Sequence, residues 1–538
     1  MPDQTFDVII IGAGHNGLVA AGYLARAGFH VLVLESRNEV GGAASTEAIL
    51  PGYWVDSGSF DASLFSAKII SEFGLRKHDL RFIESPVMAF APQVDGAALT
   101  LWREQSRNEH EIARFSKLDA ARYIEFQHKI AKIGAILRSI IQLPPPVLRK
   151  TPLNQTMPWI RNALEVKRLG RDEMPELLRL LPMPVADLLD EWFETALLKG
   201  VFGSLGITGL MSGPSSPGTV FMFLYNTLSS HPGQIYASTF VRGGMINLSR
   251  ALSKEAQSRG ATIRTGGKVV EILVESDGAR GVILEDGTVI RSKAILSNAS
   301  PRHTFMDLVG SKWLPVEFVR ELMNIRYRGC VARLAFGLND LPRFRSAIFR
   351  ESDLKEGALL SGHIVISPSI DYIERAYDDA KYGNPSRQPV LDIVIPTVLD
   401  PARAPKGKHL MLLNAQYAPY KLQQGTWEEK KEEFVGRVID ILEDYAPGLK
   451  GRIEAQAILT PYDYEEQFGL PEGCIHHGQM SLDQLFFMRP MPQYSRYRSP
   501  IRGLFLCGAG AHPGGGVTGL PGYHAAKIAA RDLASGYL

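Results

Sequence analysis

The sequence predicts an α/β fold in which a domain with a doubly wound parallel sheet is joined to a second domain. The chain has 538 residues, more than one ordinary hydrophobic core holds. It begins with an apolar strand, a glycine-rich turn and a helix within residues 6–27. A second glycine-rich turn, at 508–522, again stands between a short apolar strand and a helix. Two such turns predict either two nucleotide sites or two segments that close over one ligand.

The composition argues against several classes of protein. Hydrophobic residues make up 45% and charged residues 22%, which is an ordinary globular balance. Lys plus Arg (59) nearly equals Asp plus Glu (57), so a nucleic-acid partner has no electrostatic support. Cys330, Cys474 and Cys507 form no C-x-x-C pair, which disfavours a disulfide framework, a metal cluster and a redox dithiol. We expect buried thiols in a reducing, cytoplasmic compartment.

A membrane-crossing segment is not expected, although contact with a membrane surface stays open. No secretory signal precedes the first strand at about Phe6, and no run of about 18 apolar residues occurs. The stretch GAILRSIIQLPPPVLRK (134–150) is apolar, basic and punctuated by prolines. It predicts either a core helix that ends at Pro144 or a peripheral contact with a membrane.

The first strand, turn and helix carry a dinucleotide-binding pattern. FDVIII (6–11) is typical of a parallel strand that is buried on both faces. Gly12, Gly14 and Gly17 have the G-x-G-x-x-G spacing that permits a tight turn beside a pyrophosphate. The next strand ends in Glu35, where a carboxylate holds an unphosphorylated ribose, as in FAD or NAD. The other contacts expected in this unit are Ala13, Asn16, Ser36 and Arg37.

A glycine pair after the second strand decides between FAD and NAD. Gly41 and Gly42 lie in SRNEVGGAAST (36–46). This stretch resembles the extended signature of the glutathione-reductase-like flavoproteins, above all their amine oxidase and phytoene desaturase branch. In that branch the glycines approach the cofactor diphosphate, which implies FAD contacts at Gly41, Gly42 and Ala43. The alternative is a glycine turn in a surface loop.

The middle of the chain continues the same layout. Residues 236–301 predict a helix, a strand that joins the parallel sheet, a β-meander and a last buried strand. The resemblance implies that Val269 and Val270 offer backbone groups to the adenine. It also implies that Asn298 lies where the fold returns to the cofactor.

The chain is therefore predicted to contain two interleaved domains. Residues 1–75, 231–302 and 485–538 form the FAD-binding domain, and residues 76–230 and 303–484 form a discontinuous α+β substrate domain. The patterns within the substrate domain predict helices at 111–142 and 428–445 and strands at 389–398 and 408–417.

The C-terminal glycine turn is predicted to complete one site and not to form a second one. Gly508 and Gly510 begin a fingerprint, but Pro513 takes the third glycine position and no βα unit follows. A helix starts near Leu520–Pro521, where proline suits the first turn. Free N–H groups at such a helix start suit a flavin carbonyl or the diphosphate. The contacts expected here are Gly508, Ala509, Gly515, Gly516, Val517 and Thr518.

Several stretches together resemble the carotenoid-desaturase-like flavoproteins. They are GAGHNGLVAAGYLARAG, VGGAAST, VRGGMINL, ILSNASP, MSLDQLFFMRPMP and LCGAGAHPGGGVTGLPG, and they span most of the chain. Among these flavoproteins, the chain is most similar to the subgroup called pyridine nucleotide-disulfide oxidoreductase domain-containing protein 2. The resemblance implies a glutathione-reductase-like FAD-binding Rossmann domain, a substrate domain of amine oxidase/phytoene desaturase architecture and a non-covalent FAD. Without a C-x-x-C pair or a second G-x-G-x-x-G, disulfide reduction by a nicotinamide nucleotide is disfavoured.

The implied chemistry is removal of a hydride from a substrate carbon to flavin N5, which leaves a new double bond. The expected substrate is a lipophilic, polyene- or isoprenoid-like molecule or an amine-like one, and oxygen or a quinone reoxidises the flavin. Two alternatives stay open: a polyene isomerase without net redox change, and a flavin-bound interaction protein with little turnover. A homo-oligomer also stays open.

The sequence offers few candidates for acid–base chemistry beside the flavin. His512, in the C-terminal glycine turn, is either a general base or a residue that shapes the loop. Ser57 is expected beside the isoalloxazine. The candidate substrate contacts are Arg242, His477 and Phe486; the alternatives are a surface salt bridge for Arg242, a structural role for His477 and ordinary core for Phe486. Aromatic residues such as Phe221, Phe223 and Tyr225 either line a lipophilic tunnel or fill an ordinary core.

Overall fold

Two seven-stranded sheets organise the computed structural model, which describes residues 5–145, 173–229, 233–346 and 357–538. The strands are β1 (Thr5–Ile11), β2 (Val31–Leu34), β3 (Thr46–Leu50), β4 (Tyr53–Asp56), β5 (Phe82–Ile83), β6 (Val87–Pro92), β7 (Ala98–Trp102), β8 (Phe240–Val241), β9 (Thr262–Arg264), β10 (Val269–Glu275), β11 (Gly278–Leu284), β12 (Val289–Ser297), β13 (Val331–Leu338), β14 (His363–Ile366), β15 (Val390–Val394), β16 (His409–Gln416), β17 (Ile453–Leu459) and β18 (Leu504–Leu506). The α-helices are α1 (His15–Arg26), α2 (Ala67–Phe73), α3 (Gln105–Ala113), α4 (Lys117–Ile141), α5 (Glu173–Leu180), α6 (Val185–Trp192), α7 (Ala196–Ile207), α8 (Thr219–Asn226), α9 (Ile246–Ser258), α10 (Val316–Met323), α11 (Ile370–Lys381), α12 (Trp427–Tyr445), α13 (Pro461–Phe468) and α14 (Leu520–Ala534).

The first sheet contains the predicted dinucleotide unit. Its parallel strands run in the order β9, β2, β1, β12 and β18. The strands β10 and β11 extend it as an antiparallel meander from the beginning of β12. Helix α1 packs against both α9 and α14, so β1 and its helix lie inside the domain and have an apolar sequence. The predicted strand–turn–helix unit, the meander and the C-terminal strand and helix are all confirmed.

The second sheet presents two different faces. Its order is β17, β13, β16, β15, β14, β6, β7, and its pairs are antiparallel except β14 with β6. Helix α12 covers one face through a hydrophobic core that includes Leu334, Leu413 and Ile393. The alternation of side chains along a strand turns their neighbours Arg333 and Asn414 to the other face. That face carries polar residues in strands that are otherwise apolar.

The predicted elements of the second domain are confirmed in type but not in every boundary. The helix predicted at 111–142 is two helices, because the chain breaks between α3 and α4, where Ser116 caps α4 by accepting from Asp119 N at 3.1 Å. The strand predicted at 389–398 ends at Val394, and a 3₁₀ turn begins at Pro396, which lacks the N–H that a sheet needs. Strand β16 and helix α12 lie where they were predicted.

The strands of the two sheets come from interleaved parts of the chain. The first sheet takes its strands from residues 5–34, 262–297 and 504–506, and the second from residues 87–102 and 331–459. Residues from Phe305 to Tyr327 add side chains to the hydrophobic core of the first sheet, although the predicted boundary at 302 assigns them to the substrate domain. The division into two domains stays a prediction, and this packing favours a boundary after Tyr327.

The apolar, basic stretch at 134–150 is only partly described. Helix α4 ends at Ile141, three residues before the predicted end at Pro144. Ile133, Ile136 and Leu137 are buried in the helical core, and residues 146–150 lie outside the described residues. Within the described ranges, no helix is long and apolar enough to cross a membrane.

Candidate active site

A cavity of about 840 Å³ is lined by both large sheets and by the loops that join them. Its volume lies in the upper part of the range of pockets that hold cofactors and small ligands. We call the region lined by residues 11–12, 14–16, 34–37 and 41–44 the dinucleotide part, and the region lined by the second sheet the sheet part.

The β1–α1 turn forms a backbone cradle that only glycine permits. Gly12 has φ +92° and donates its N–H to Leu34 O at 2.7 Å. A Cβ at Gly17 would lie 2.2 Å from Gly12 O, and a Cβ at Gly14 would lie 2.8 Å from Asn298 Nδ2. The turn is therefore as tight as its spacing predicts, and Gly12 and Gly14 line the cavity.

Glu35 lies beside this turn, at the end of β2. Its Oε2 accepts from Ala13 N at 2.8 Å, and its Oε1 accepts from Arg37 N at 3.0 Å. The side chain is buried but lines the cavity, so its remaining lone pairs are available to ribose hydroxyls. Arg37 is held by Glu47 at 2.7 Å, so its charge is already paired.

The second glycine pair is joined to the first turn. Gly41 donates its N–H to Ala13 O at 2.9 Å and forms an isolated bridge with Gly14. Gly41 and Gly42 both have positive φ, of +124° and +55°. The two segments thus form one wall of the cavity, and a surface loop, the alternative for this pair, is excluded.

The C-terminal glycine turn closes the same cavity from the other side of β12. Cys507 donates its N–H to Ser297 O at 2.8 Å, and a Cβ at Gly508 would lie 2.6 Å from Asn298 O. Gly516, with φ +84°, and Val517 then line the cavity just before α14. The two glycine turns therefore face one cavity, as the sequence predicts.

Two polar atoms of this wall have no protein partner. His15 Nε2 and Asn16 Oδ1 are buried and make no hydrogen bond to any described residue. Buried polar atoms of native proteins are almost always paired, so these atoms indicate a polar ligand. Together with the glycine cradle and the acceptor Glu35, they fit a bound FAD.

Most predicted cofactor contacts line the cavity. They are Gly12, Gly14, Asn16, Glu35, Ser36, Arg37, Gly41, Gly42, Ala43, Val269, Val270, Asn298, Ala509, Gly516 and Val517. The predicted contacts that do not line it are Ala13, Gly17, Ser57, Gly508, Gly515 and Thr518. These six lie behind the wall: Ser57 Oγ donates to Glu47 Oε1 at 3.0 Å, for example, and the His476 ring occupies the space beside Gly515. Contact of any of these residues with FAD stays a prediction.

Three predicted catalytic or substrate residues lie away from the cavity. His512 is buried outside its lining, beside Phe486, with ring centroids 6.3 Å apart. Burial lowers the pKa of His512 to about 4, against the smaller opposing effect of the Ile141 and Leu143 carbonyls. Phe486 packs against Phe221 in the helical core. Packing against α4 and α8 thus keeps both side chains out of the cavity lining, which favours the loop-shaping alternative for His512, and the roles of both residues stay predictions.

Arg242 also lies outside the cavity lining, whereas His477 lies within it. Arg242 follows the buried strand β8, where its N–H donates to Arg81 O, and its side chain is exposed. His477 lines the cavity together with His476. Burial and the positive charge of Arg489 lower the pKa of both histidines to about 3, so both are neutral.

The sheet part contains a set of side chains that sequence reasoning missed. Arg333 on β13 stands opposite Asn414 on β16, and Asn414 stands opposite Asp392 on β15. His363 on β14 follows on the same face, two residues before the partner of Asp392. We call these four residues, all of which line the cavity, the polar row. Their signal in the sequence was a polar residue inside each of four otherwise apolar strands.

His363 is the titratable group of the polar row. Its Nδ1 lies 2.6 Å from Asp392 Oδ1. The rings of Phe60, Tyr236 and Phe240 surround it at centroid distances of 5.8, 5.7 and 6.2 Å. Burial acts to lower the pKa of His363, but the carboxylates of Asp392 and Asp61 outweigh it and raise that pKa above 6.5.

Asp61 adds a second carboxylate beside His363. Its Oδ1 accepts from Thr239 N at 2.8 Å and from Ser63 N at 2.9 Å, and its Oδ2 accepts from Ser63 Oγ at 2.6 Å. Burial raises the pKa of Asp61, although His363 and these donors oppose the rise. The sheet part thus combines an imidazole, two carboxylates and a guanidinium.

The aromatic residues expected to line a tunnel lie elsewhere. Phe221, Phe223 and Tyr225 are buried in the helical core around α4 and α8, and none of them lines the cavity. Tyr225 Oη donates to Gly515 O at 2.7 Å and so supports the C-terminal glycine turn. These residues form ordinary core, the second of the two alternatives.

Cysteine and metal chemistry find no support in the described residues. Cys330, Cys474 and Cys507 are buried free thiols. Burial raises the pKa of each of them, which keeps them protonated. The part of the chain that the structure describes contains no cluster of metal-ligating side chains.

Comparison with known proteins places the chain among flavoproteins. Residues 10–65 match the family described as NAD(P)-binding Rossmann-like domain, and residues 163–334 match the family described as flavin containing amine oxidoreductase. The chain is 37% identical to pyridine nucleotide-disulfide oxidoreductase domain-containing protein 2 of Rattus norvegicus, with 98% of this chain and 94% of the relative covered. It is 25% identical to the phytoene desaturase (lycopene-forming) of Pantoea ananas, with coverage of 95% and 96%.

The fold is also similar to that of a solved structure. The solved structure of cyclohexylamine oxidase from Brevibacterium oxydans IH-35A matches with a TM-score of 0.59 at 16% identity, over 100% of both chains. The predicted architecture, an FAD-binding Rossmann domain with a substrate domain of amine oxidase type, is confirmed. The protein is an FAD-dependent oxidoreductase, and the chain belongs to the family of pyridine nucleotide-disulfide oxidoreductase domain-containing protein 2.

Proposed function

We propose that this enzyme oxidises an amine-like substrate at the carbon next to nitrogen. The carbon loses a hydride, the nitrogen loses a proton, and a carbon–nitrogen double bond forms between them. Bound FAD supplies the hydride acceptor, and oxygen or a quinone would reoxidise it. The residues that would hold FAD are the predicted contacts that line the dinucleotide part and the Gly516–Val517 turn.

The polarity of the sheet part carries this proposal. Arg333, Asp392 and His363 project into the cavity from adjacent strands, and Asp61 joins them from the loop after β4. An apolar polyene would leave these charged groups buried without a solvent or ligand partner, which is costly. A substrate with a polar group next to the reacting carbon would pair with them.

The His363–Asp392 pair is the proposed proton acceptor. Asp392 holds Nδ1 at 2.6 Å, which fixes the neutral tautomer with its proton on Nδ1. Nε2 is then the nitrogen that accepts the substrate proton. Asp392 positions the ring and stabilises the imidazolium that results.

The raised pKa of His363 fixes the pH dependence. His363 accepts a proton only when it is neutral, so flavin reduction accelerates as the pH rises through the pKa of His363, which lies above 6.5. Asp392→Asn removes the carboxylate that contributes most to raising this pKa, so the rising limb moves to lower pH.

Anaerobic mixing of the holoenzyme with matched substrates tests the proposal. Primary and secondary amines should bleach the flavin stoichiometrically, and His363→Gln should slow this step by about 100-fold or more. His409→Gln, on β16 but outside the cavity lining, is the matched control and should stay within about twofold. Bleaching by a polyene hydrocarbon and by no amine would contradict the proposal. Turnover that needs a pre-reduced flavin and produces no oxidised product would favour an isomerase.

A further inference from the structure

We infer that Arg333 binds a carboxylate group of the substrate, an inference that rests on the oxidation proposed above and adds a second recognition element to it. The substrate would then carry a monoanionic carboxylate in addition to its oxidised, amine-like group. Arg333 lines the sheet part of the cavity and is only 3% exposed.

Arg333 is a buried cation whose protein partners carry no full negative charge. Its Nε and one terminal nitrogen donate to Asn414 Oδ1 at 3.1 and 2.7 Å, and its other terminal nitrogen donates to Asp56 O at 3.0 Å. No carboxylate of the described residues forms an ion pair with it. Burying a charge without a counter-ion costs free energy. The site around Arg333 therefore lacks an anion that a ligand could supply.

The neighbouring Arg403 shows what a completed pair looks like in this protein. Arg403 is 4% exposed, and its terminal nitrogen lies 2.8 Å from Asp56 Oδ2. Asp56 thus gives its carboxylate to Arg403 and only its backbone oxygen to Arg333. Arg403 does not line the cavity, whereas Arg333 does. The unpaired arginine is therefore the one that a ligand can reach.

The guanidinium of Arg333 is fixed in place and has donors left over. It lies over the Phe60 ring at 4.6 Å from the centroid, and Asn414 clamps its edge. Three of its five N–H donors are used, which leaves one on each terminal nitrogen. A carboxylate accepts from such paired donors with two oxygens. Asn414 adds its side-chain amide N–H groups beside them, since its Oδ1 is the atom that Arg333 uses.

The charges around Arg333 favour a monoanion over a phosphate dianion. Asp392 lies two strands away, which is roughly 10 Å across the sheet, and Asp61 lines the same cavity. A second negative charge on the ligand would be repelled by the Asp392 carboxylate in a cavity of low dielectric constant. A carboxylate adds one negative charge to one unpaired cation.

Ligand binding to the oxidised holoenzyme tests this inference without any turnover. The probes share a phenyl group and differ in the head group: phenylacetate, methyl phenylacetate, 2-phenylethanol and phenyl phosphate, with 3-phenylpropanoate and hexanoate as longer carboxylates. Changes in the flavin absorption spectrum and in the thermal midpoint report binding. We expect the carboxylates to bind at least about tenfold more tightly than the ester, the alcohol and the phosphate. Arg333→Gln should weaken carboxylate binding by at least about 30-fold.

Two further variants keep the test decisive. Arg333→Lys keeps the charge but loses the planar fork, so it should fold and bind carboxylates more weakly than the wild type and more tightly than Arg333→Gln. Arg403→Lys is the matched buried control and should leave carboxylate affinity unchanged. If no carboxylate binds, or if affinity is independent of Arg333, the inference is wrong even where amines still bleach the flavin.

The cofactor itself is the competing occupant of this site. If Arg333 faced FAD, then Arg333→Lys would shift the flavin spectrum and reduction potential without any probe and would lower FAD content. That result would overturn a substrate role for Arg333. Failure of every amine to bleach the flavin would contradict the proposed function instead, because the binding experiment needs no oxidation.

Discussion

The two parts of the cavity are built in opposite ways. In the dinucleotide part, the wall is backbone: glycines 12, 14, 41 and 42 leave room for a ligand, and Glu35 is the one acidic side chain directed to it. In the sheet part, the wall carries the polar side chains of four strands, and the backbone groups of these strands are used in the sheet. The first part therefore selects a ligand by close approach, and the second selects by charge and hydrogen bonding.

The largest effect on stability and FAD binding is expected when a substitution adds a side chain to a glycine of the β1–α1 turn. Gly17→Ala places a Cβ 2.2 Å from Gly12 O, which cannot move without opening the turn. We expect a loss of stability of about 1–3 kcal/mol or more and chains that purify without FAD. Absorbance at 450 nm per chain measures the FAD content, and the thermal midpoint measures the stability.

The matched control for Gly17 is a helical glycine in the other domain. Gly436 lies in α12 with nothing within 4 Å of its Cβ position. Gly436→Ala should therefore stabilise the protein by up to about 1 kcal/mol, through helix propensity, and leave FAD content unchanged. Full FAD content in Gly17→Ala would show that the tight turn is not what holds the cofactor.

The buried histidines differ in the direction in which their pKa is shifted. Burial lowers the pKa of His15 and His512 to about 4 and that of His476 and His477 to about 3, whereas the pKa of His363 is raised. The four lowered groups stay neutral in the folded protein but take up protons on unfolding below pH 6.5. These four groups therefore destabilise the folded state progressively as the pH falls from about 6.5 toward 4.

A pH series of thermal midpoints measures this loss. Each of the four histidines should cost about 2 kcal/mol of stability at pH 5, relative to a pH well above 6.5. His363 acts in the opposite direction, because its raised pKa favours the folded state at low pH. The thermal midpoint should fall clearly between pH 7.5 and pH 5, and His512→Gln should make the fall shallower. A midpoint that is flat over this range would contradict the buried, neutral state of these histidines.

A smaller effect is expected at Glu35. Glu35→Gln keeps the size of the side chain but places an amide N–H group where the carboxylate now accepts from Ala13 N or Arg37 N. FAD should bind about tenfold more weakly, as measured by quenching of flavin fluorescence. Glu39→Gln is the control in the same loop, since Glu39 is exposed and pairs with Arg250 at 3.1 Å. Equal FAD affinity in both variants would remove Glu35 from the ribose contact.

The difference between the two parts also explains what the sequence could predict. The glycines and Glu35 are close in sequence and act through backbone geometry, so their spacing alone predicts the turn, the carboxylate and the cofactor class. The polar row comes from residues 333, 363, 392 and 414, which only the strand order β13, β16, β15, β14 brings together. One polar residue in an apolar strand predicts burial with a partner but not which partner.

His512 shows how the same limit leaves a prediction open. It is the acid–base residue in a turn that does face the cavity, and its sequence position gives no sign of where its side chain points. The structure places the ring beside Phe486, with Tyr497 Oη donating to His512 O at 3.0 Å. Local sequence therefore predicted that the turn faces the cavity, but it could not tell which of the two alternatives for the His512 side chain applies.

The smallest effect on flavin reduction is expected at His512. Comparing it with His363 shows most directly which of the two residues accepts the substrate proton. Because His512 lies outside the cavity lining and is neutral, His512→Gln should leave the rate of flavin reduction within about twofold of the wild type at pH 7.5. His363→Gln, measured in the same stopped-flow experiment, should lose about 100-fold. If the two results were exchanged at equal FAD content, the proton acceptor would belong to the C-terminal glycine turn. The polar row would then serve only to bind the substrate.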